Sequence, residues 1–172
     1  MFVAPRLVSY FNALYGVTKS NEKENLSIEA QKVLQVLRKE WEMGTSDLRA
    51  DAKIEDRKTV TKALEDLQKT MKVVPSEVLY VPKFTYIWTL AEGRFPKELA
   101  KKISREDAVK ELARVFLKMQ GLTMRGELAK TLGISRKEAG KANHQLVDEG
   151  FADRLETGVY RYAELRSPNL LI

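Results

Sequence analysis

Two clusters of basic and amide side chains in this sequence have the chemistry needed to bind a polyanion. The first cluster contains Arg57, Lys58, Thr61 and Lys62, and the second contains Arg136, Lys137, Lys141, His144 and Gln145. Arginine can donate two parallel hydrogen bonds to guanine and glutamine can pair with adenine, whereas lysine more often contacts phosphate. We therefore interpret both clusters as candidate contacts to double-stranded DNA.

Three more basic residues, Lys83, Arg154 and Arg161, lie in segments that we predict to be β-hairpins. Side chains on a hairpin beside a DNA-binding helix can reach phosphate or the minor groove. Tyr160 and Tyr162 alternate with Arg161 along one strand, so both tyrosines share a face. We expect this face to be buried in the core, and the alternative is that the tyrosines stack on or hydrogen-bond to a partner.

The residues needed for most enzymatic and metal chemistry are missing. With no cysteine, the chain cannot form disulfides or thiolate metal sites. Its single histidine, His144, argues against metal centres built from imidazole groups. No phosphate-binding loop, dinucleotide fingerprint, zinc-protease motif or nucleophile elbow occurs. We expect no metal, no cofactor and no enzymatic activity.

The second cluster lies on a helix predicted over residues 135–149. Ser135 and Glu138 have the spacing of a capping box, and the apolar residues Ala139, Ala142 and Leu146 fall on one face. Strands are predicted over 151–155 and 159–163, joined by a turn that contains Gly158. This order is that of a recognition helix followed by a β-wing.

The first cluster lies on a similar helix, predicted over residues 55–72, with Val60, Leu64 and Leu67 facing inward. We predict its wing strands over 72–75 and 79–82, around a turn at Ser76 and Glu77. The aromatic-rich segment 84–95 fits either a strand or a short helix. We expect its side chains Tyr86, Ile87, Trp88 and Leu90 to fill the junction between two modules.

Sliding the chain along itself by 79 residues places the basic pair of the first cluster over that of the second. A single duplication near this length indicates two tandem domains. The predicted fold class is mainly α with small β-wings (α+β), with two tandem winged helix-turn-helix modules. We place an N-terminal helix and linker at 1–25, the modules at 26–95 and 96–165, and a tail at 166–172.

The charge balance leaves open which macromolecule is bound. The net charge of +6 and the pI near 9.4 favour polyanions, yet residues 55–72 hold five basic and four acidic side chains, and residues 135–150 hold three of each. DNA binding, with a role in transcription regulation or DNA maintenance, is the first interpretation. A protein-interaction scaffold in a transcription or chromosome-maintenance complex is the second.

Two apolar segments near the ends of the sequence are candidates for contact with the body of the protein or with a second subunit. Residues 5–15 are predicted to form a helix that docks on the body of the protein, or alternatively a dimerisation helix, and residues 169–172 could pack on the body or on a second subunit. A homodimer is therefore one expectation. No apolar run approaches the roughly 20 residues of a membrane span, and we expect a cytoplasmic protein without a membrane partner.

Short motifs in the middle of the chain resemble a known family. The run from Trp88 to Pro96 (WTLAEGRFP), Gly121, and the T-x-x-x-E-L-A pattern from Thr123 to Ala129 look like the winged-helix family that includes AlkZ-type crosslink-repair DNA glycosylases. The resemblance spans about residues 5–163 and implies the architecture and an affinity for DNA. It also implies a catalytic Q-x-D or Q-x-Q element, which none of the five glutamines begins. A glycosylase relative without that element is our third interpretation.

Overall fold

The chain folds as two compact units. The computed structural model describes residues 3–166, and the chain divides into Met1–Lys102 and Ile103–Ile172. The apolar end at 169–172 lies outside the described residues. Each unit combines helices with one small three-stranded antiparallel sheet, so the predicted fold class, mainly α with small β elements, is confirmed.

The first unit begins with two short helical segments. A 3-10 turn at Pro5–Leu7 leads into α1 (Val8–Tyr15), and a second turn at Lys19–Asn21 leads into α2 (Glu22–Asn25). The linker predicted in the later part of residues 1–25 is thus partly helical.

Glu22 is buried and fastens this segment to the rest of the unit. Its carboxylate accepts a hydrogen bond from Lys72 Nζ at 2.6 Å and two from the Arg38 guanidinium at 2.8 and 3.0 Å. Burial by itself would raise the pKa of Glu22, but the hydrogen bonds from Arg38 and Lys72 outweigh it and lower the pKa.

Five helices and a three-stranded sheet form the body of the first unit. Its elements are α3 (Ile28–Glu40), β1 (Glu42–Gly44), α4 (Thr45–Asp51), α5 (Arg57–Lys69), β2 (Val73–Leu79), β3 (Thr85–Leu90), α6 (Ala91–Arg94) and α7 (Pro96–Leu99). The strand order is β1-β3-β2. Ser27 and Asp56 cap α3 and α5 by accepting the backbone N–H groups of Ala30 and Thr59.

The wing of the first unit is longer than predicted. Strand β2 continues through Ser76 and Glu77, where the predicted turn is instead a bulge in the pairing with β3. The hairpin turns at residues 80–84, and β3 resolves the open question about residues 84–95 in favour of a strand followed by α6. Trp88 and Leu90 belong to the core cluster of the first unit, so the prediction that they fill a junction between modules is wrong.

The second unit has the same order of elements. They are α8 (Arg105–Gln120), β4 (Leu122–Thr123), α9 (Glu127–Leu132), α10 (Arg136–Asp148), β5 (Ala152–Glu156) and β6 (Val159–Tyr162), followed by a 3-10 turn at Ala163–Leu165. The strand order is β4-β6-β5. The predicted capping box is confirmed, because Ser135 Oγ accepts the Glu138 N–H while the Glu138 carboxylate accepts the Ser135 N–H.

The repeat between the two units is present in the backbone conformation as well as in the sequence. Helices α5 and α10 are both 13 residues long and begin 79 residues apart. Positive φ angles recur at matching positions, with Trp41, Lys53 and Met71 in the first unit and Gly121, Gly133 and Gly150 in the second. In the repeated part of each unit, an edge strand follows the first helix and a β-hairpin follows the third.

Candidate nucleic-acid interface

The first cluster lies on one exposed face of α5. Val60, Ala63, Leu64 and Leu67 are buried on the opposite face, which fixes the orientation of the helix. Arg57, Lys58, Thr61 and Lys62 are all exposed, and the Thr61 hydroxyl donates to the Arg57 carbonyl oxygen at 2.9 Å. Among residues 3–166, no acidic side chain forms an ion pair with any of the three cations.

The second cluster is divided between free and paired side chains. Arg136 and Lys137, in the first turn of α10, are exposed and form no ion pair within the described part of the chain. Lys141 Nζ instead lies 2.6 Å from Glu106 Oε2, and Gln145 Nε2 donates to Glu106 Oε1 at 2.7 Å. These hydrogen bonds lower the pKa of Glu106, so the carboxylate stays charged and offsets Lys141.

His144 lies beside the hairpin of the second unit. Its ring meets Tyr160 edge to face at 5.9 Å between centroids, with Nε2 3.4 Å from the Tyr160 hydroxyl. Tyr160 and Tyr162 are 4% and 7% exposed, which confirms that both tyrosines are core residues. His144 itself is exposed.

The three predicted wing cations differ in how free they are. Lys83 is exposed in the turn between β2 and β3, and Arg154 is exposed with one long hydrogen bond, 3.4 Å, to Thr157 Oγ1. Arg161 is half-buried and its Nη2 donates to Asp153 Oδ2 at 3.0 Å. Hydrogen bonds from Arg166 and Arg161 lower the pKa of Asp153 to about 2. Arg161 therefore acts first as a structural partner of Asp153.

Two basic residues that the sequence analysis did not select also belong to this surface. Arg125 and Lys130 border a shallow groove of the second unit together with Arg136. Arg125 Nη2 donates to the Thr157 carbonyl at 3.4 Å, which holds the side chain against the hairpin turn. The only sequence signal for these two residues is their position around α9, directly before α10.

Metal sites and membrane-spanning helices are two further features to consider in the described residues. In residues 3–166, no group of three or more histidine, cysteine, aspartate or glutamate side chains is arranged to hold a metal ion. Across the same residues, no helix combines the length and apolar character required to cross a membrane.

Comparison with known proteins identifies a family. The sequence model of the family described as AlkZ related matches residues 1–133, which is more than three quarters of the chain. The match takes in the whole first unit and ends at the turn between α9 and α10. No curated protein matches the chain at a significant level. By its sequence, the chain belongs to the AlkZ-related family.

Proposed function

We propose that this protein binds double-stranded DNA, with α5 as its main contact. The observation that carries the proposal is the set of three cations, Arg57, Lys58 and Lys62, on one exposed face without an acidic partner in the described chain. An unpaired cation gains more from a phosphate than a paired one, because no existing ion pair has to be broken. The relationship to AlkZ-related proteins supports a DNA partner.

The shape of α5 suits the major groove. The buried apolar stripe holds one side of the helix against the core, so the opposite side projects from the unit as a rigid surface. A single α-helix fits the width of the major groove of B-DNA. Arg57 is the candidate for a guanine contact, while Lys58 and Lys62 are candidates for phosphate contacts.

The second unit contributes in a different way. Because Glu106 occupies Lys141 and Gln145, the middle of α10 has less free charge than its first turn. Five cations of this unit that form no ion pair in the described chain lie at the beginning of α10 and around α9 and the hairpin: Arg125, Lys130, Arg136, Lys137 and Arg154. We propose that they hold phosphate groups, which increases affinity without reading sequence.

A salt titration with matched variants tests the proposal. Counterion release predicts that each phosphate contact contributes about 0.9 to the slope of log affinity against log salt. Replacing Arg57, Lys58 and Lys62 by glutamine should lower that slope by roughly 2, because Lys58 and Lys62 are the proposed phosphate contacts and Arg57 is the proposed guanine contact. The control is Lys141→Gln, since Lys141 is already offset by Glu106, and it should change the slope by less than 1.

The titration has clear contrary outcomes. Electrostatic binding to DNA is strongest at low salt. Absence of binding to duplex DNA at about 50 mM salt would therefore refute the proposal. An equal effect of the triple variant and of Lys141→Gln would show that pairing in the structure does not decide which cations bind. Selection from random duplexes then separates a regulator, which enriches one sequence, from a DNA-maintenance factor, which does not.

A protein-interaction scaffold is the second candidate. The observation that favours it is the acidic side chains near the basic face of α5, since Asp56, Glu65 and Asp66 border the same shallow groove as the cations. Such a mixed surface suits a protein partner of mixed charge. Two results together would favour this candidate. The protein would fail to bind DNA, and it would bind a protein partner whose binding is lost when Lys58 and Glu65 are replaced.

We propose that the protein binds DNA without catalysing base excision. None of its five glutamines is followed two residues later by aspartate or glutamine, which is the element that the family resemblance implies. Incubation with alkylated or crosslinked duplex DNA tests this directly. Formation of an abasic product by wild type, lost on replacing one of the five glutamines, would overturn this proposal and establish a glycosylase.

A further inference from the structure

The β2–β3 hairpin of the first unit carries a continuous row of aromatic side chains. Ring centroids are 5.6 Å apart between Trp88 and Tyr86, 5.3 Å between Tyr86 and Phe84, and 5.8 Å between Phe84 and Tyr80. The row therefore runs from the middle of β3 to the turn of the hairpin.

Exposure increases steadily along this row. Trp88 is 8% exposed and its Nε1 donates to Thr45 Oγ1 at 2.9 Å, which anchors the row in the core. Tyr86 is 40% exposed, Phe84 53% and Tyr80 73%. The hairpin thus covers the core with Trp88, and its apolar face continues beyond the core toward the turn.

The hairpin of the second unit shows that the fold does not require this extension. Strands β5 and β6 are joined at Thr157 and Gly158, and the tyrosines of β6 are both buried. A repeated module with the same strand order therefore closes its hairpin with polar residues. An exposed group of large apolar side chains in a soluble unit marks a binding surface.

The charge of the hairpin turn indicates the kind of partner. Residues 78–86 contain one cation, Lys83, and no acidic residue, and Lys83 forms no ion pair within the described chain. Flat apolar rings next to a free cation complement a nucleotide, which combines a planar base with an anionic phosphate. In an intact duplex the base faces are already stacked, so only unpaired nucleotides present them.

We propose that the β2–β3 hairpin binds unpaired nucleotides in DNA, with bases stacking on Tyr80 and Phe84 while Lys83 contacts the adjacent phosphate. The inference rests on the proposed function, because α5 would hold the flanking duplex. The protein would then prefer DNA whose pairing is interrupted, such as a bulge, a mismatch or a fork. Loss of one stacked base typically weakens binding by about fivefold to more than a hundredfold.

The test compares two DNA duplexes of the same flanking sequence. One is fully paired, and the other contains a short internal stretch of unpaired nucleotides with the fluorescent base 2-aminopurine at its centre. Wild type should bind the interrupted duplex about tenfold more tightly and quench the 2-aminopurine fluorescence. Tyr80→Ala combined with Phe84→Ala should remove the preference and the quenching while leaving affinity for the paired duplex unchanged.

Two control variants separate stacking from simple apolar contact. Tyr80→Leu combined with Phe84→Leu keeps apolar area but removes the rings, so it should also lose the preference. Leu155→Ala removes an apolar side chain that is 51% exposed in the hairpin of the second unit. This variant should keep the preference for the interrupted duplex. Retained preference in the leucine variant, or its loss in Leu155→Ala, would overturn the stacking assignment.

Other outcomes distinguish failure of this inference from failure of the proposed function. Equal affinity for paired and interrupted duplexes would overturn the inference and leave duplex binding intact. No affinity for either duplex would overturn both. Dimerisation of wild type in light scattering, abolished by the double alanine variant with DNA preference unchanged, would assign the aromatic row to a second copy of the chain instead.

Discussion

Two glycines of the second unit predict opposite effects of the same substitution. An added Cβ would meet no atom within 4 Å at either Gly140 or Gly150. Gly140 lies inside α10, whereas Gly150 follows the helix with a φ of +72°. Because space is equal at the two positions, the backbone conformation alone should decide the sign of the change in stability.

The magnitudes follow from these conformations. Glycine inside a helix costs roughly 1 kcal/mol relative to alanine, so Gly140→Ala should raise the free energy of unfolding by that amount. A left-handed conformation costs an L-residue about 1–2 kcal/mol, so Gly150→Ala should lower it. The left-handed turn cannot relax cheaply, since the N–H groups of Gly150 and Phe151 donate to the Val147 and Leu146 carbonyls, both at 2.9 Å.

Amide hydrogen exchange of α10 measures the second unit without interference from the first. A change of 1 kcal/mol corresponds to about a fivefold change in the opening equilibrium. Protection should therefore rise about fivefold in Gly140→Ala and fall at least as much in Gly150→Ala. A change in the same direction for both variants would refute the argument that φ decides, and would point to a packing effect near α10.

The other predictions concern stability and ionisation. Lys53→Gly should raise the free energy of unfolding of the first unit by about 1 kcal/mol, because Lys53 is exposed and has a φ of +53°; an unchanged urea midpoint by tryptophan fluorescence would contradict it. Glu22→Gln should lower that free energy by about 3 kcal/mol at neutral pH, since it leaves Lys72, 13% exposed, without its carboxylate. The lowered pKa of Glu22 means that its stabilisation is present above its unfolded pKa, near 4.5, and is lost as the pH falls below it. Acid titration of wild type and Glu22→Gln should therefore diverge above pH 4.5 and converge below. Hydrogen bonds from Ser135 and Arg105 lower the pKa of Glu138 to about 2, and Asp153 also titrates at about 2. Carboxyl NMR should show both midpoints there, and ordinary midpoints near 4 would contradict these contacts.

Local signals made the long helices predictable from the sequence. Ser27, Ser104 and Ser135 each accept an N–H three residues on, as expected of caps before an apolar stripe. The buried faces of α5 and α10 follow the predicted spacing of three and four residues. Such signals act within one turn of helix, so they can be read without knowing the tertiary structure.

The short strands could not be predicted. Strands β1 and β4 are three and two residues long and exist because they pair with β3 and β6 far along the chain. Their own residues carry no alternation that would mark a strand. The bulge between Pro75 and Glu77 similarly depends on β3, and a prediction based on turn-forming residues placed a turn there.

The free or paired state of the candidate DNA contacts could not be predicted either. Helical spacing placed Lys141 and Gln145 on a polar face, but their partner Glu106 is 35 and 39 residues away in the chain. Arg161 is likewise held by Asp153 across the hairpin. Helical spacing predicts which of these side chains lie on a polar face, whereas long-range ion pairs decide which of them retain free charge.

The ion cluster around Glu22 also constrains the order in which the first unit is assembled. Glu22 is synthesised before either of its cationic partners, and Lys72 follows it by 50 residues. Burying its charge before both cations are in place would leave a desolvated carboxylate without compensation. Helix α2 therefore gains its stable position only after α5 is complete and Lys72, just before β2, has been made.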